Sequence, residues 1–249
     1  FRDRGFFVLA ARMPGHGTAP SGLLYAEWRD WMAVVRLGVL KVREVVGEKA
    51  PLYIGGYSNG GALAVKYTLD SLEDDSLETP GRVFLYSPAI GITGAAVFAR
   101  AHELLSWIPL FEQSAWSSIQ PEIDPFKYTS FPMSVGYQTH TLTRTLQREI
   151  LEARQAGRMK ELCPILTFKS LADATVRIED AVSHLYGNLD NPQSELVVFD
   201  VNQSAHMKMF FRRNPGDRLA YLLERTDLPY RLTLVTNEDE RSSELVEHS

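Results

Sequence analysis

A serine, an aspartate and a histidine of this sequence have the residue types and the chain order to form an activated nucleophile. Ser58 lies in residues 56–61, GYSNGG, with glycines on both sides. The run fits the pattern G-x-S-x-G, a turn too sharp for flanking side chains, in which a strained backbone points the hydroxyl outward. The alternative interpretation is a tight connection between a strand and a helix that carries no chemistry.

The base is assigned by position in the chain, because a serine hydroxyl attacks poorly until a base removes its proton. The sequence has six histidines, and only His206 lies in a loop after a late predicted strand, where such a base is expected. His16 lies in a glycine-rich turn and is interpreted as structural. The others lie in or beside an irregular stretch, in a helical pattern or in the tail: His102, His140, His184 and His248.

The acid must fix the tautomer of the histidine and stabilise its charged form. Asp173 follows a predicted strand and lies between Ser58 and His206 in the chain, which gives the order Ser, Asp, His. Asp180 in a helical pattern and Asp200 at a strand end stay alternatives. The cap of a helix is an alternative role for Asp173, because aspartate is a favoured cap.

The elements that must position these residues alternate along the chain. Short apolar runs predict strands at residues 6–10, 51–57, 82–87, 164–168 and 195–199, and a further run at 231–235 predicts an extra strand of unassigned position. Helical spacing is found in residues 28–46, 60–72, 142–153, 178–189 and 207–225. The alternation predicts the α/β class, with a mostly parallel sheet flanked by helices.

An insertion interrupts this alternation between residue 94 and about residue 137, where aromatic residues and prolines show no period. We predict a cap at residues 94–157 between two core segments, 1–93 and 158–236, followed by a disordered acidic tail at 237–249. Four cap aromatics suit an apolar acyl group, or they pack the core of the cap itself: Trp107, Phe111, Trp116 and Phe126.

Composition excludes several function classes. The net charge is -5 and lysines and arginines form no stripe, which disfavours nucleic-acid binding. No apolar run approaches the roughly 18 residues of a membrane-spanning helix, so we expect no transmembrane segment. The single cysteine, Cys163, precedes Pro164 and an apolar run, and we interpret it as a buried structural thiol.

The motifs together resemble the α/β-hydrolase superfamily, and within it the esterases and monoacylglycerol-lipase-like carboxylesterases. Residues 12–18, RMPGHGT, are similar to an R-x-P-G-H-G loop, and residues 28–31, WRDW, to a W-x-D-W helix start. Residues 55–61 resemble the family's nucleophile turn, with Asn59 where methionine is commoner. Residues 173–176, DATV, and 204–206, SAH, resemble the acid and base motifs, and the whole resemblance covers about residues 6–224.

The resemblance implies a serine hydrolase that cleaves carboxylic esters, such as monoacylglycerol or lysophospholipid-like substrates, without metal or organic cofactor. The backbone N–H of Asn59 is expected to receive the oxyanion. An H-G-x-x-G loop supplies a second donor in the family, and this chain has no counterpart. N-terminal strands are therefore expected to be missing, as in a fragment that begins at Phe1.

The same three residues serve other functions equally well. Acyl transfer and thioester hydrolysis use the same triad, and a non-catalytic binding protein can keep the fold without the reaction. The sequence leaves the oligomeric state open. A cytoplasmic location is favoured, and an export signal would belong to the missing N-terminal part.

Overall fold

The computed structural model describes residues 1–91, 115–123, 128–173, 176–201, 227–238 and 244–248. The chain forms two compact units, of which the first comprises residues 1–51 and 92–145 and the second residues 52–91 and 146–249. The predicted boundaries of the core, cap and tail stay a prediction, because much of the proposed cap lies outside the described residues.

The elements of the described residues follow the predicted alternation. The helices are α1 (Trp28–Val46), α2 (Asn59–Glu73), α3 (Met133–Gln155) and α4 (Ile178–His184). The strands are β1 (Tyr53–Tyr57), β2 (Arg82–Tyr86), β3 (Trp116–Ser118), β4 (Phe131–Pro132), β5 (Ile165–Ser170), β6 (Glu195–Asp200), β7 (Arg231–Asn237) and β8 (Leu245–His248). Short 3-10 helices occupy Arg2–Arg4, Pro20–Leu24, Met159–Glu161 and Tyr186–Asn188.

The second unit contains a six-stranded sheet in the order β1-β2-β5-β6-β7-β8. The first five strands are parallel, and β8 alone runs antiparallel to its neighbour. The carboxyl ends of parallel strands meet at one edge of a sheet, where residues from distant parts of the chain can cooperate. The predicted α/β class with a mostly parallel sheet is confirmed.

The predicted strand at residues 6–10 is wrong. The structure assigns no strand there, and the residues from Phe6 to Leu9 are between 41% and 54% exposed. A strand exists only when a neighbour pairs with its backbone N–H and C=O groups, and no strand of the described residues pairs with this segment. An apolar run shows the affinity of a segment for a core and does not show whether a partner strand is present.

The C-terminal tail also differs from the expected disorder. Residues Leu245–His248 form β8 and pair with the outer edge of β7, with Val246 opposite Thr236. Pairing satisfies the backbone groups that an edge strand otherwise presents to solvent. The unassigned run at residues 231–235 belongs to β7, which lies beside β6.

The helices agree in part with the apolar periodicity, since α3 begins at Met133, ahead of the predicted residue 142, and α4 ends at His184, short of the predicted residue 189. The predicted helix at residues 207–225 lies outside the described residues. The expected helices at residues 28–46 and 60–72 correspond to α1 and α2, and Gly47, with a φ of 77°, ends α1. The four apolar positions that predicted α3 are all buried: Leu142, Leu146, Ile150 and Ala153. No helix within the described ranges has the length and the apolar content needed to cross a membrane.

The first unit is organised around α1. A capping box begins this helix, in which the Glu27 N–H donates a 2.9 Å hydrogen bond to Asp30 Oδ2. The indole N–H of Trp31 donates to the Pro14 carbonyl at 3.2 Å, which ties the loop at residues 12–18 to the helix. In the same unit, β3 and β4 form a short antiparallel pair.

Candidate active site

Ser58 lies at the junction of β1 and α2 in a backbone conformation that L-residues rarely adopt. Its φ is 52° and its ψ is −116°. The Ser58 N–H donates to the Tyr86 carbonyl at 2.9 Å, and the Ser58 carbonyl accepts from the N–H groups of Gly61 at 3.0 Å and Ala89 at 2.9 Å. A strained residue costs about 1–3 kcal/mol and persists only when its surroundings hold it. These hydrogen bonds hold Ser58 in the conformation that the motif requires.

At two of the three glycines in residues 56–61, other atoms lie too close for any side chain. A Cβ on Gly56 would lie 2.2 Å from the Gly60 carbonyl oxygen. A Cβ on Gly61 would lie 2.7 Å from Pro88 Cβ. At Gly60 itself a Cβ would meet no heavy atom within 4 Å in the described part of the chain. The turn therefore needs glycine at positions 56 and 61 and tolerates a side chain at position 60.

We expect Gly56→Ala to destabilise the protein by roughly 3 kcal/mol, because the added methyl group collides with backbone that cannot move away. Gly60→Ala is the matched control. It should leave the free energy of unfolding unchanged or raise it by about 0.5–1 kcal/mol, because alanine is a better helix residue than glycine. Urea unfolding of both variants measures the difference, and equal stabilities would contradict the steric argument.

Asn59 is the first residue of α2 and follows Ser58 directly. The first N–H groups of an α-helix have no partner within the helix, and the helix dipole makes this end favourable for negative charge. The Asn59 backbone N–H therefore donates no hydrogen bond within α2. The side-chain Oδ1 of Asn59 is buried, and no donor from the described residues reaches it.

Ser87 is a second residue in an uncommon backbone conformation, which sequence reasoning missed. It follows β2, has a φ of 43°, and donates its N–H to the Phe168 carbonyl at 2.9 Å. Ser58 and Ser87 thus have positive φ values at the carboxyl ends of two adjacent strands. The sequence signal was weak, since a serine and a proline after an apolar run also occur in ordinary turns.

Asp173 lies in the loop after β5, three residues beyond the end of the strand. Its N–H donates to the Ser170 carbonyl at 3.3 Å, and its Oδ1 accepts the Val176 N–H at 3.2 Å. The residue that precedes α4 is Arg177, so Asp173 is not the cap of that helix. Its side chain is 21% exposed.

The two alternative acids lie within regular elements. Asp180 is inside α4, and its side chain packs closely against Gly91. A Cβ added to Gly91 would lie 2.8 Å from Asp180 Cγ. Asp200 is the last residue of β6, and its carbonyl accepts from Thr236 Oγ1 at 3.1 Å. Asp173 is the one of the three that belongs to a loop at the carboxyl edge of the sheet.

Lys169 is the second residue that sequence reasoning missed. It belongs to β5, where burial alternates along the strand, and it shares the buried face with Ile165 and Thr167. The lysine side chain is 0% exposed, and its Nζ donates to Asp173 Oδ2. A lysine on the buried face of an otherwise apolar strand is the sequence signal that could have identified it, because charged residues are almost never fully buried without a partner.

His206 lies outside the described residues. The sheet order nevertheless constrains the loops that carry these residues. The strands β5 and β6 are hydrogen-bonded neighbours, so the segment that follows β5, with Asp173, and the segment that follows β6 in the sequence, toward His206, begin at adjacent strand ends. Ser58 follows β1, which is separated from β5 by β2 alone.

The proposed substrate contacts are described at one position. Trp116 belongs to β3 in the first unit, pairs with Pro132 of β4 and is half-buried. The other three aromatics, Trp107, Phe111 and Phe126, lie outside the described residues. The assignment of these four residues to an acyl pocket stays a prediction.

No family model and no curated protein matches the sequence. A structure reported for the metagenome-derived lipolytic enzymes LipS and LipT matches with a TM-score of 0.55 at 16% identity, over 86% of this chain and 80% of the other. A soluble variant of monoglyceride lipase from Saccharomyces cerevisiae, in complex with a substrate analogue, matches with a TM-score of 0.52 at 10% identity, over 75% of this chain and 65% of the other. The parallel sheet, the strained serine between strand and helix, and these likenesses agree: the chain has the α/β-hydrolase fold.

Proposed function

We propose that this protein is a serine hydrolase that cleaves carboxylic esters, with Ser58 as nucleophile, His206 as base and Asp173 as acid. The observation that carries the proposal is the backbone of Ser58, held at a φ of 52° between a parallel strand and the start of a helix. Strain of this kind persists where function requires it. The two structural neighbours, a lipolytic enzyme and a monoglyceride lipase, support the same reaction class.

In the proposed reaction His206 removes the hydroxyl proton of Ser58 as the oxygen attacks the ester carbonyl. The Asn59 N–H at the start of α2 receives the developing oxyanion, where the helix dipole also favours negative charge. His206 then protonates the leaving alcohol, and Asp173 stabilises the imidazolium that forms in between. Water releases the acyl group from Ser58 by the same steps in reverse.

Cys163 is a poor alternative nucleophile. Its side chain is buried beside β5, and burial raises the pKa of the thiol to about 11. The thiolate is the reactive form of cysteine, so a thiol of this kind is almost entirely unreactive at neutral pH. The expected burial of Cys163 is confirmed, and Ser58 is the better candidate.

The proposed substrates are apolar acyl esters of the monoacylglycerol or lysophospholipid kind. The support is the aromatic content of residues 94–137, which suits an acyl chain. Acyl transfer to an alcohol and thioester hydrolysis are alternatives on the same triad. Product analysis with added alcohol or with a thioester substrate separates them from ester hydrolysis.

The first test is hydrolysis of a series of p-nitrophenyl esters, from acetate to decanoate, together with labelling by a fluorophosphonate. We expect turnover that increases from the acetate to medium-chain esters, and covalent labelling at Ser58 identified by peptide mass spectrometry. A folded protein that neither hydrolyses any ester of the series nor reacts with the fluorophosphonate would exclude the hydrolase and favour a binding role.

A further inference from the structure

The backbone of Ser58 is hydrogen-bonded on both sides to one short segment, residues 86–89, which we call the clamp segment. The Tyr86 carbonyl accepts the Ser58 N–H at 2.9 Å, and the Ala89 N–H donates to the Ser58 carbonyl at 2.9 Å. Rotation of the Ser58 backbone would misalign at least one of these bonds, and a misaligned hydrogen bond weakens steeply. The clamp segment therefore restrains the orientation of Ser58.

The clamp segment departs from the course that the strand β2 would give it. Within a strand, backbone N–H groups two residues apart point toward the same neighbouring strand. The Ser87 N–H donates to the Phe168 carbonyl of β5, so an extended chain would point the Ala89 N–H toward β5 as well. The Ala89 N–H instead points to Ser58, which follows β1 on the opposite side of β2.

The reversal takes place at Ser87, whose φ is 43°. Residues other than glycine seldom adopt a positive φ, and for a β-branched residue such a φ is an outlier. Pro88, which follows, is buried, and a Cβ added to Gly61 would lie 2.7 Å from Pro88 Cβ. The clamp segment therefore packs directly on the first turn of α2 and carries the Ala89 N–H to Ser58.

The end of the clamp segment is anchored in the core. Ala89 is 3% exposed, and the next residue, Ile90, is 0% exposed. The Ile90 carbonyl accepts a hydrogen bond from Gln147 Nε2 of α3 at 2.9 Å. Close-packed interiors are hard to compress. A segment held by β5 at one end and by α3 at the other therefore fixes Ser58 and does not move with it.

We propose that Ser87 is a positioning residue for Ser58, and that its left-handed backbone, not its hydroxyl group, sets the clamp segment that holds the nucleophile. The inference rests on the proposed function, in which Ser58 attacks the ester. Ser87 acts through the backbone of Ser58 and is assigned no contact with the substrate. A displaced serine oxygen reacts more slowly, because attack requires close approach and alignment of the reacting atoms.

The test compares three substitutions of Ser87 in the full chain. Ser87→Ala removes the hydroxyl group, and Ser87→Gly also removes the Cβ and accepts a positive φ freely, whereas Ser87→Thr keeps the hydroxyl group and adds a β-branch. Turnover of a p-nitrophenyl ester is normalised to the fraction of Ser58 that a fluorophosphonate labels at completion. We expect parental kcat in Ser87→Ala and Ser87→Gly, and a roughly 10- to 100-fold lower kcat in Ser87→Thr with KM within about twofold.

Hydrogen exchange provides a readout that does not depend on activity. The Ala89 amide donates to the Ser58 carbonyl, and loss of this bond opens it to solvent. We expect the Ala89 amide to exchange roughly 10-fold faster in Ser87→Thr and at the parental rate in Ser87→Gly.

Ile150→Val is the control for a general loss of stability. The Ile150 side chain lies in α3 and is 0% exposed, so removal of one methylene group lowers the free energy of unfolding. It should leave kcat per labelled serine unchanged. The control therefore separates a less stable protein from a misplaced Ser58.

A double-mutant cycle tests the clamp segment without catalysis. Ser58→Gly and Ser87→Gly each remove a Cβ at a positive φ, so both proteins should fold. Residues that share a hydrogen-bonded unit are energetically coupled, whereas independent sites are additive. We expect the changes in the free energy of unfolding of the two variants not to add in the double variant.

The possible outcomes are distinct. Parental kcat and parental Ala89 exchange in Ser87→Thr would overturn the inference, as would equal losses of kcat in all three variants, which would assign the effect to the hydroxyl group. If Ser87→Thr does not fold well enough to be labelled, the glycine cycle decides, and additive changes overturn the inference. If the parent chain hydrolyses no ester, the proposed function is wrong, and exchange and the cycle still show whether Ser87 holds Ser58.

Discussion

Replacement of Ser58 by alanine should reduce ester turnover by about 10⁶-fold in kcat, because no other side chain supplies the nucleophile of the proposed reaction. Ser58→Gly should be equally inactive. It should nevertheless be more stable than Ser58→Ala, since alanine keeps the Cβ atom at a φ of 52° and glycine does not. Loss of the Cβ atom relieves about 1–3 kcal/mol of backbone strain, and the entropic cost of glycine offsets part of this relief. The free energy of unfolding of Ser58→Gly should therefore exceed that of Ser58→Ala by about 1 kcal/mol.

The two variants should be measured together, by ester hydrolysis and by thermal unfolding. Retained turnover in Ser58→Ala, above the rate of a mock preparation, would assign the reaction to another residue. A Ser58→Gly protein that is less stable than Ser58→Ala would show that the backbone at this position relaxes freely, which contradicts the strained turn described above.

Replacement of Asp173 by alanine should destabilise the protein by about 3–5 kcal/mol in addition to removing the proposed acid. The reason is Lys169, whose fully buried ammonium group loses the carboxylate that accepts its hydrogen bond. Removing one partner of a buried pair leaves an uncompensated charge. The free energy of unfolding from urea titration at neutral pH measures the effect.

The double variant Asp173→Ala with Lys169→Met is the control, because it removes the orphaned charge. It should recover most of the lost stability and none of the activity, and the double-mutant cycle gives the coupling between the two residues. A coupling near zero would mean that Lys169 finds sufficient compensation elsewhere, and that the ion pair contributes little.

The turn at Ser58 and the sheet could be predicted because their signals are local. The strands β1 and β2 are short apolar runs, and glycines mark the turn at Ser58 where other atoms approach too closely for a side chain. The run at residues 6–10 has the same apolar character and is not a strand, because pairing depends on a partner that the run itself does not contain.

The two missed residues depend on contacts between segments. The positive φ of Ser87 follows from its position beside β5, where its N–H reaches the Phe168 carbonyl. Lys169 was overlooked because a lysine in a strand usually points to solvent, and the alternation that buries it is visible only once the covered face is known. Local composition predicts the turn at Ser58. The ion pair between Lys169 and Asp173 becomes visible only in the packed sheet.

The sheet order has an evolutionary consequence. The strands β2 and β5 are neighbours in the sheet, although β2 ends at Tyr86 and β5 does not begin until Ile165. The closure cost of a connection grows slowly with length, by only about 0.6 kcal/mol for each doubling. Added length in this connection therefore costs little closure entropy, whereas α3 within it is held by the buried side chains of Leu142, Leu146 and Ile150. For the proposed hydrolase, substrate preference can therefore diversify through insertions in this connection while Ser58 and Asp173 keep their places at the strand ends.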